Sequence, residues 1–99
     1  MRRGTTPQHT FTLPFDTAEI EKIRVIYAQG DIVKVTKKET DCKLSENNIT
    51  VKLTQAETLR FNHRMKTDIQ LRVVTHDGEA LASEIMSVPT CRCLDNEVL

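Results

Sequence analysis

Tryptophan is absent from this 99-residue chain, and Tyr27 is its one tyrosine beside Phe11, Phe15 and Phe61. So few aromatic rings leave an aliphatic core and no stock of exposed platforms on which sugars stack. Glycine and proline are scarce, at three each, which excludes a low-complexity linker. Neither sign of charge is in excess: 14 basic and 14 acidic side chains cancel. That balance removes the electrostatic footprint on which nucleic-acid binding rests. Arg2 and Arg3 form the one basic cluster at the start, too small for a DNA or membrane arm. No apolar run approaches the roughly 20 residues of a membrane span. The opening MRRGTTPQHT has no hydrophobic stretch behind its basic end, so no secretory signal is read there. The expectation is a chain made and kept in the cytosol unless it leaves within an assembly.

Cysteine is also sparse. Cys42, Cys91 and Cys93 are an odd number without an export signal, which argues against a disulfide framework. Cys91 and Cys93 could offer two thiolates to zinc, but a tetrahedral site needs two more ligands, and His9, His63 and His76 stand at no ligand spacing. No Gly-rich phosphate loop, H-E-x-x-H, G-x-S-x-G or calcium-loop pattern occurs. The reading therefore names no catalytic, cofactor-binding or metal-ligating residue, and no cofactor.

What is abundant is the β-branched side chain. Thirteen threonines, eight valines and seven isoleucines are stiff at χ1 and suit a pleated sheet better than a helix. Alternation marks the strands. HTFTLPF (9–15) sets Phe11, Leu13 and Phe15 on one face, and Pro14 puts this strand at an edge or ends it. KIRVIYAQG (22–30) aligns Ile23, Val25 and Tyr27. After the turn QGD, DIVKVTKKE (31–39) runs back with Val33 and Val35 sharing a face. TDCKLSENN (40–48) is polar and turn-like, with room for a short strand at Cys42 and Leu44. NITVKLT (48–54) turns Ile49, Val51 and Leu53 inward, and KTDIQLRVVT (66–75) does the same with Ile69, Leu71 and Val73. ALASEIMSV (80–88) is anchored by Leu81, Ile85 and Met86, and Pro89 ends it. Two short helical turns are expected, one capped by Asp16 with Glu19 as its partner, the other by Thr54 with Glu57, after which Leu59 and Phe61 enter the core.

His76 and Asp77 stand side by side between two of these strands. A catalytic pair needs a nucleophile or water and a shaped pocket. Asp77–Gly78 is instead a strong hairpin signal, because glycine accepts φ > 0 and aspartate tolerates it. The carboxylates Asp16, Glu19 and Glu21, like Glu39 and Asp41, read as solvated loop charges without calcium-ligand spacing. His63, Arg64 and Lys66 read as a solvated basic loop.

Six to seven short strands with frequent turns and no long helix predict an all-β fold, an antiparallel β-sandwich of immunoglobulin-like architecture. The expected organisation is a flexible N-terminal arm over 1–8, the sandwich over 9–89 and a tail over 90–99.

The stretches HTFTLPFDTAEIEKIRVIYAQG, ITVKLTQAETLRF and IQLRVVTHDGEALASEI resemble small uncharacterised proteins of phage and prophage structural regions in Firmicutes-type bacteria. The resemblance covers most of residues 4–88, and the layout is similar to the N-terminal domain of phage baseplate upper proteins. It implies a virion or tail-tip structural module and transfers no functional residue. Cys91 and Cys93 lie outside it. The resulting expectation is a non-enzymatic structural or adaptor subunit of a phage or prophage particle. Its partners would be other phage structural proteins and itself, with no nucleic acid and no membrane. The alternative is a sandwich whose loops hold a carbohydrate or calcium.

Overall fold

The computed structural model describes residues 1–99. Its elements are β1 (Gln8–Thr12), a 3-10 turn (Thr17–Glu19), β2 (Ile20–Gln29), β3 (Ile32–Lys38), a 3-10 turn (Glu39–Asp41), β4 (Cys42–Ser45), β5 (Asn48–Lys52), α1 (Gln55–Thr58), β6 (Thr67–Thr75), β7 (Ala80–Ala82) and β8 (Met86–Val88). The fold is all-β. One sheet has the order β1-β5-β4; the other has the order β3-β2-β6-β7, with β8 also on β6. Every strand pairing is antiparallel. In an immunoglobulin domain the second strand pairs with the fifth. Here β2 lies between β3 and β6, so the strand order differs from that of an immunoglobulin domain.

The alternation of the sequence becomes the core. Val35, Tyr27 and Ile69 form one row across the inner face of the larger sheet, and Lys37, Val25 and Leu71 form the next. Phe11 and Ile49 face them from the smaller sheet, beside the row His9, Val51 and Cys42. Ile20, Ile23, Val73, Leu53 and Phe61 complete the buried cluster. Leu59 is only half-buried.

Turn chemistry closes the hairpins. Gly30, at φ 58, is the first of two residues linking Gln29 to Ile32, the position where a type II′ turn requires glycine. His76, Asp77 and Gly78 link Thr75 to Glu79. Gly78, at φ 87, ends that three-residue loop in the left-handed conformation of a bulged hairpin. Thr54 accepts from Glu57 N at 3.1 Å while Glu57 Oε1 accepts from Thr54 N at 2.8 Å, the expected capping box of α1. Asp16 caps its own turn differently: its carboxylate accepts from Ala18 N at 2.9 Å, while Glu19 N donates to the Asp16 carbonyl at 3.1 Å.

Several placements depart from the pattern. β1 stops at Thr12, short of the expected 9–15, although it ends ahead of Pro14 at an edge of its sheet as that proline implied. A bulge between Tyr27 and Ala28 leaves Lys34 unpaired, so Val33 sits opposite Ala28 on the outer face and is 57% exposed. The run 80–88 is broken at Ser83–Ile85, and its expected anchors Leu81, Ile85 and Met86 are exposed on a sheet edge. The arm over residues 1–8 lies against the tail. Cys91 N donates to Met1 O at 2.7 Å and Arg3 N to Cys91 O at 3.1 Å. Thr58 Oγ1 donates to Thr5 O at 2.9 Å, which ties the arm to α1 as well.

Candidate functional site

The His76–Glu79 loop borders an open depression of about 570 Å³, lined by Phe15, Glu19, His76, Asp77, Glu79 and Leu81 among others. His76 and Asp77 act there as turn residues. The Asp77 carboxylate accepts from the Thr75 hydroxyl, and that bond first of all holds its pKa below the ordinary value. His76 N donates to Glu19 O at 2.9 Å, fixing the loop to the 3-10 turn. Glu39 and Asp41 are occupied by backbone. Glu39 accepts from Ile23 N at 3.1 Å, the main cause of its lowered pKa, and pairs with Arg24 at 3.0 Å. Asp41 accepts from Lys38 N at 2.9 Å. His63, Arg64 and Lys66 are exposed on the loop between α1 and β6.

Polar groups inside the sandwich link distant segments. Lys37, 8% exposed, points inward because it follows Val35 by two residues on the same strand. Its ammonium meets Glu57 Oε1 at 2.7 Å, joining β3 to α1. Burial pushes the Glu57 carboxyl up, but its bonds to the Lys37 ammonium and Thr54 N outweigh that, and its pKa lies below the ordinary value. His9 Nδ1 and Tyr27 Oη share a hydrogen bond of 2.8 Å between the two sheets. Burial, and then the positive amino terminus, lowers the His9 pKa. Burial, followed by the charges of Cys42 and Glu57, raises that of Tyr27. Burial also raises the Cys42 thiol. Gln29 accepts from Asn62 N at 2.7 Å and donates to Asn62 O at 2.8 Å, pinning the 61–66 loop to the end of β2. Thr67 and Thr90 hydroxyls, 2.7 Å apart beside Gln29, bring the tail to the same point. These groups are partnered with one another.

Of the three cysteines, Cys91 and Cys93 remain apart from this interior chemistry. All three are free thiols. Cys91 serves through its backbone, and Cys93 packs beside Gly4 of the arm. No group of three or more His, Cys, Asp or Glu side chains is arranged to hold a metal ion.

Two surfaces escaped the sequence reading. Register sets Lys38, Arg24 and Arg72 directly across from one another on the outer face of the larger sheet. These residues are far apart in the chain, and only the strand pairing aligns them. The second surface is the pair of free edges of that sheet, β3 on one side and the β7–β8 run on the other. Residues 32–37 and 80–88 make no backbone hydrogen bond outward from the sheet. Ile32, 62% exposed, lies on the first edge, and Ile85, 61%, and Met86, 45%, lie on the second. Partial warning was present in the sequence, since 80–88 contains a single charge, Glu84.

The class defined by these features is an all-β protein of two packed antiparallel sheets, with Lys37 paired to Glu57 and His9 to Tyr27 inside and the edges of the larger sheet open. Compared with models of known families, with curated proteins and with solved structures, the chain matches none. No helix is long and apolar enough to cross a membrane.

Proposed function

We propose that this chain is a non-enzymatic structural or adaptor subunit of a phage or prophage particle, acting in its tail or baseplate region. The observation that carries the reading is the division of polar chemistry. Inside, Lys37–Glu57, His9–Tyr27 and the Gln29 network hold segments of the fold to one another. Outside, unpaired strand edges with apolar side chains are available to neighbouring proteins. The particle context comes from the resemblance expected of the sequence stretches 9–30, 49–61 and 69–85 to small phage structural proteins. In a particle, the partners are other structural proteins and further copies of the chain. The test is purification of particles from a producing bacterium, followed by mass spectrometry of intact virions and of tail intermediates. The chain is expected in stoichiometric amount with tail or baseplate components. Its absence from both preparations would overturn the proposal.

A second reading places a ligand in the depression beside the His76–Glu79 loop, where Glu19, Asp77 and Glu79 border an apolar wall of Phe15 and Leu81. Calcium or a carbohydrate bound there raises the melting temperature, because it binds only the folded chain. An unchanged melting temperature with calcium and with a glycan panel removes this reading.

A further inference from the structure

The two free edges of the larger sheet differ in charge. Residues 32–38 carry Lys34, Lys37 and Lys38 and no carboxylate, with Lys37 committed inward to Glu57. Residues 77–91 carry Asp77, Glu79 and Glu84 and no Lys or Arg. Each edge also presents apolar side chains, Ile32 and Val33 on β3 and Leu81, Ile85 and Met86 on the β7–β8 run.

We infer that copies of this chain associate head to tail, the β3 edge of one pairing with the β7–β8 edge of the next to continue the larger sheet. Three observations converge on a second copy as the occupant. The first is direction. β3, β2, β6 and the β7–β8 run alternate, so β3 runs opposite to β7–β8. A copy displaced along the sheet therefore sets its β3 antiparallel to the neighbour's β7–β8, and the joined sheet stays antiparallel throughout.

The second is charge. Pairing β3 with another β3 sets Lys34 and Lys38 against their own kind, and pairing β7–β8 with itself does the same for Glu79 and Glu84. Only the mixed pair brings lysine to glutamate, so each edge rejects itself and accepts the other. Lysines on an edge strand ordinarily guard against pairing. Against an acidic edge, the same lysines select the partner.

The third is facing. Ile32 pairs with the inward Gln29, Leu81 with the inward Val73, and Met86 with the inward Ile69. All three thus stand on the inner side of the sheet, exposed because they are at its margins. Joining the edges extends the apolar layer across the seam. A contact between unlike edges closes a ring or grows an open chain.

The test uses charge exchange on the half-buried Lys34 and the exposed Lys38, Glu79 and Glu84. Sedimentation velocity compares the wild type, K34E/K38E, E79K/E84K and an equimolar mixture of the two variants, at low salt over a range of concentrations. The wild type is expected to grow in mass with concentration and to dissociate with added salt. Each variant alone has two edges of one sign and is expected to associate at least tenfold more weakly. In the mixture, every edge again finds an opposite one, and association returns. Should either charge variant fail to fold by circular dichroism, I85K reads the β7–β8 edge alone and is expected to weaken association to the same extent. A wild type that stays monomeric up to about 1 mM, the weak limit of ordinary association, overturns the inference. So do variants that associate like the wild type, or a mixture that stays monomeric. The inference stands apart from the particle reading: a head-to-tail assembly can exist outside a virion, and a virion subunit can be a monomer in isolation.

Discussion

Lys37 and Glu57 are the pair on which the sandwich is most sensitive. Their side chains are only 10% and 16% exposed, so removing one charge strands the other in a poorly solvated site. Glu57→Gln keeps an acceptor for Thr54 N but leaves the Lys37 ammonium without its counter-charge. The expected loss is about 3 kcal/mol, read by urea denaturation. Lys37→Met with Glu57→Gln removes the stranded charge, and most of that loss is expected to return. Acid titrates the same region. Glu57 has a folded pKa below its ordinary 4.5, so its contribution is present above that value and disappears as the pH falls below it. His9 has a folded pKa below its ordinary 6.5. The unfolded chain takes up that proton first, so stability also declines as the pH falls from about 6.5. Melting temperatures between pH 8 and pH 3, a range of about five units spanning both groups, should therefore fall in two stages. His9→Gln is expected to flatten only the upper one.

At the scale of elements, the hairpins show where local strain and local repair sit. Glu46, at φ 52, is the one non-glycine residue in the left-handed region, in the turn between β4 and β5. Its carbonyl accepts from both Thr17 N and Thr17 Oγ1, at 2.7 and 2.8 Å, which holds the turn to the neighbouring 3-10 turn. Glu46→Gly relieves the steric cost and keeps those bonds. It is expected to stabilise the chain by up to about 1 kcal/mol in thermal unfolding, after the extra freedom of an unfolded glycine is subtracted. Ser83 repairs the break between β7 and β8. Its hydroxyl accepts from Leu71 N at 2.9 Å while its own N donates to Leu71 O at 2.8 Å. Ser83→Ala leaves a β6 amide without its partner and is expected to cost about 1–2 kcal/mol in the same assay.

These elements also mark what was legible in advance. Strands buried on one face, such as 48–54 and 66–75, carry a strict period of two, and their inward residues are the ones found buried. The Asp77–Gly78 hairpin and the Thr54–Glu57 capping box were legible because each depends on chemistry within a few residues. Val33 was misplaced because a bulge shifts the period by one without any signal from glycine or proline. Leu81, Ile85 and Met86 looked like core because an apolar residue at a sheet edge and one in a core have the same pattern. The Lys38–Arg24–Arg72 row and the Lys37–Glu57 pair depend on register and crossing chains, which no local pattern contains.

As a whole the molecule is long and thin, 46 × 27 × 17 Å, which is what two sheets and little else make of 99 residues. A thin sandwich of this kind has a large share of its backbone at strand edges, and edges left bare invite pairing. The arm, the tail and the 61–66 loop are tied down through Met1–Cys91, Thr5–Thr58 and Gln29–Asn62, while both edges of the larger sheet stay open. Net neutrality removes long-range repulsion between copies and leaves the choice of partner to the local charge of each edge. The central claim is that this protein works through those two edges, and amide hydrogen exchange at low and high protein concentration tests it most directly. Residues 32–38 and 80–88 are expected to gain protection together as concentration rises, with the rest of the chain unchanged. Protection that is independent of concentration, or that rises over β1 and β4 instead, would contradict the account.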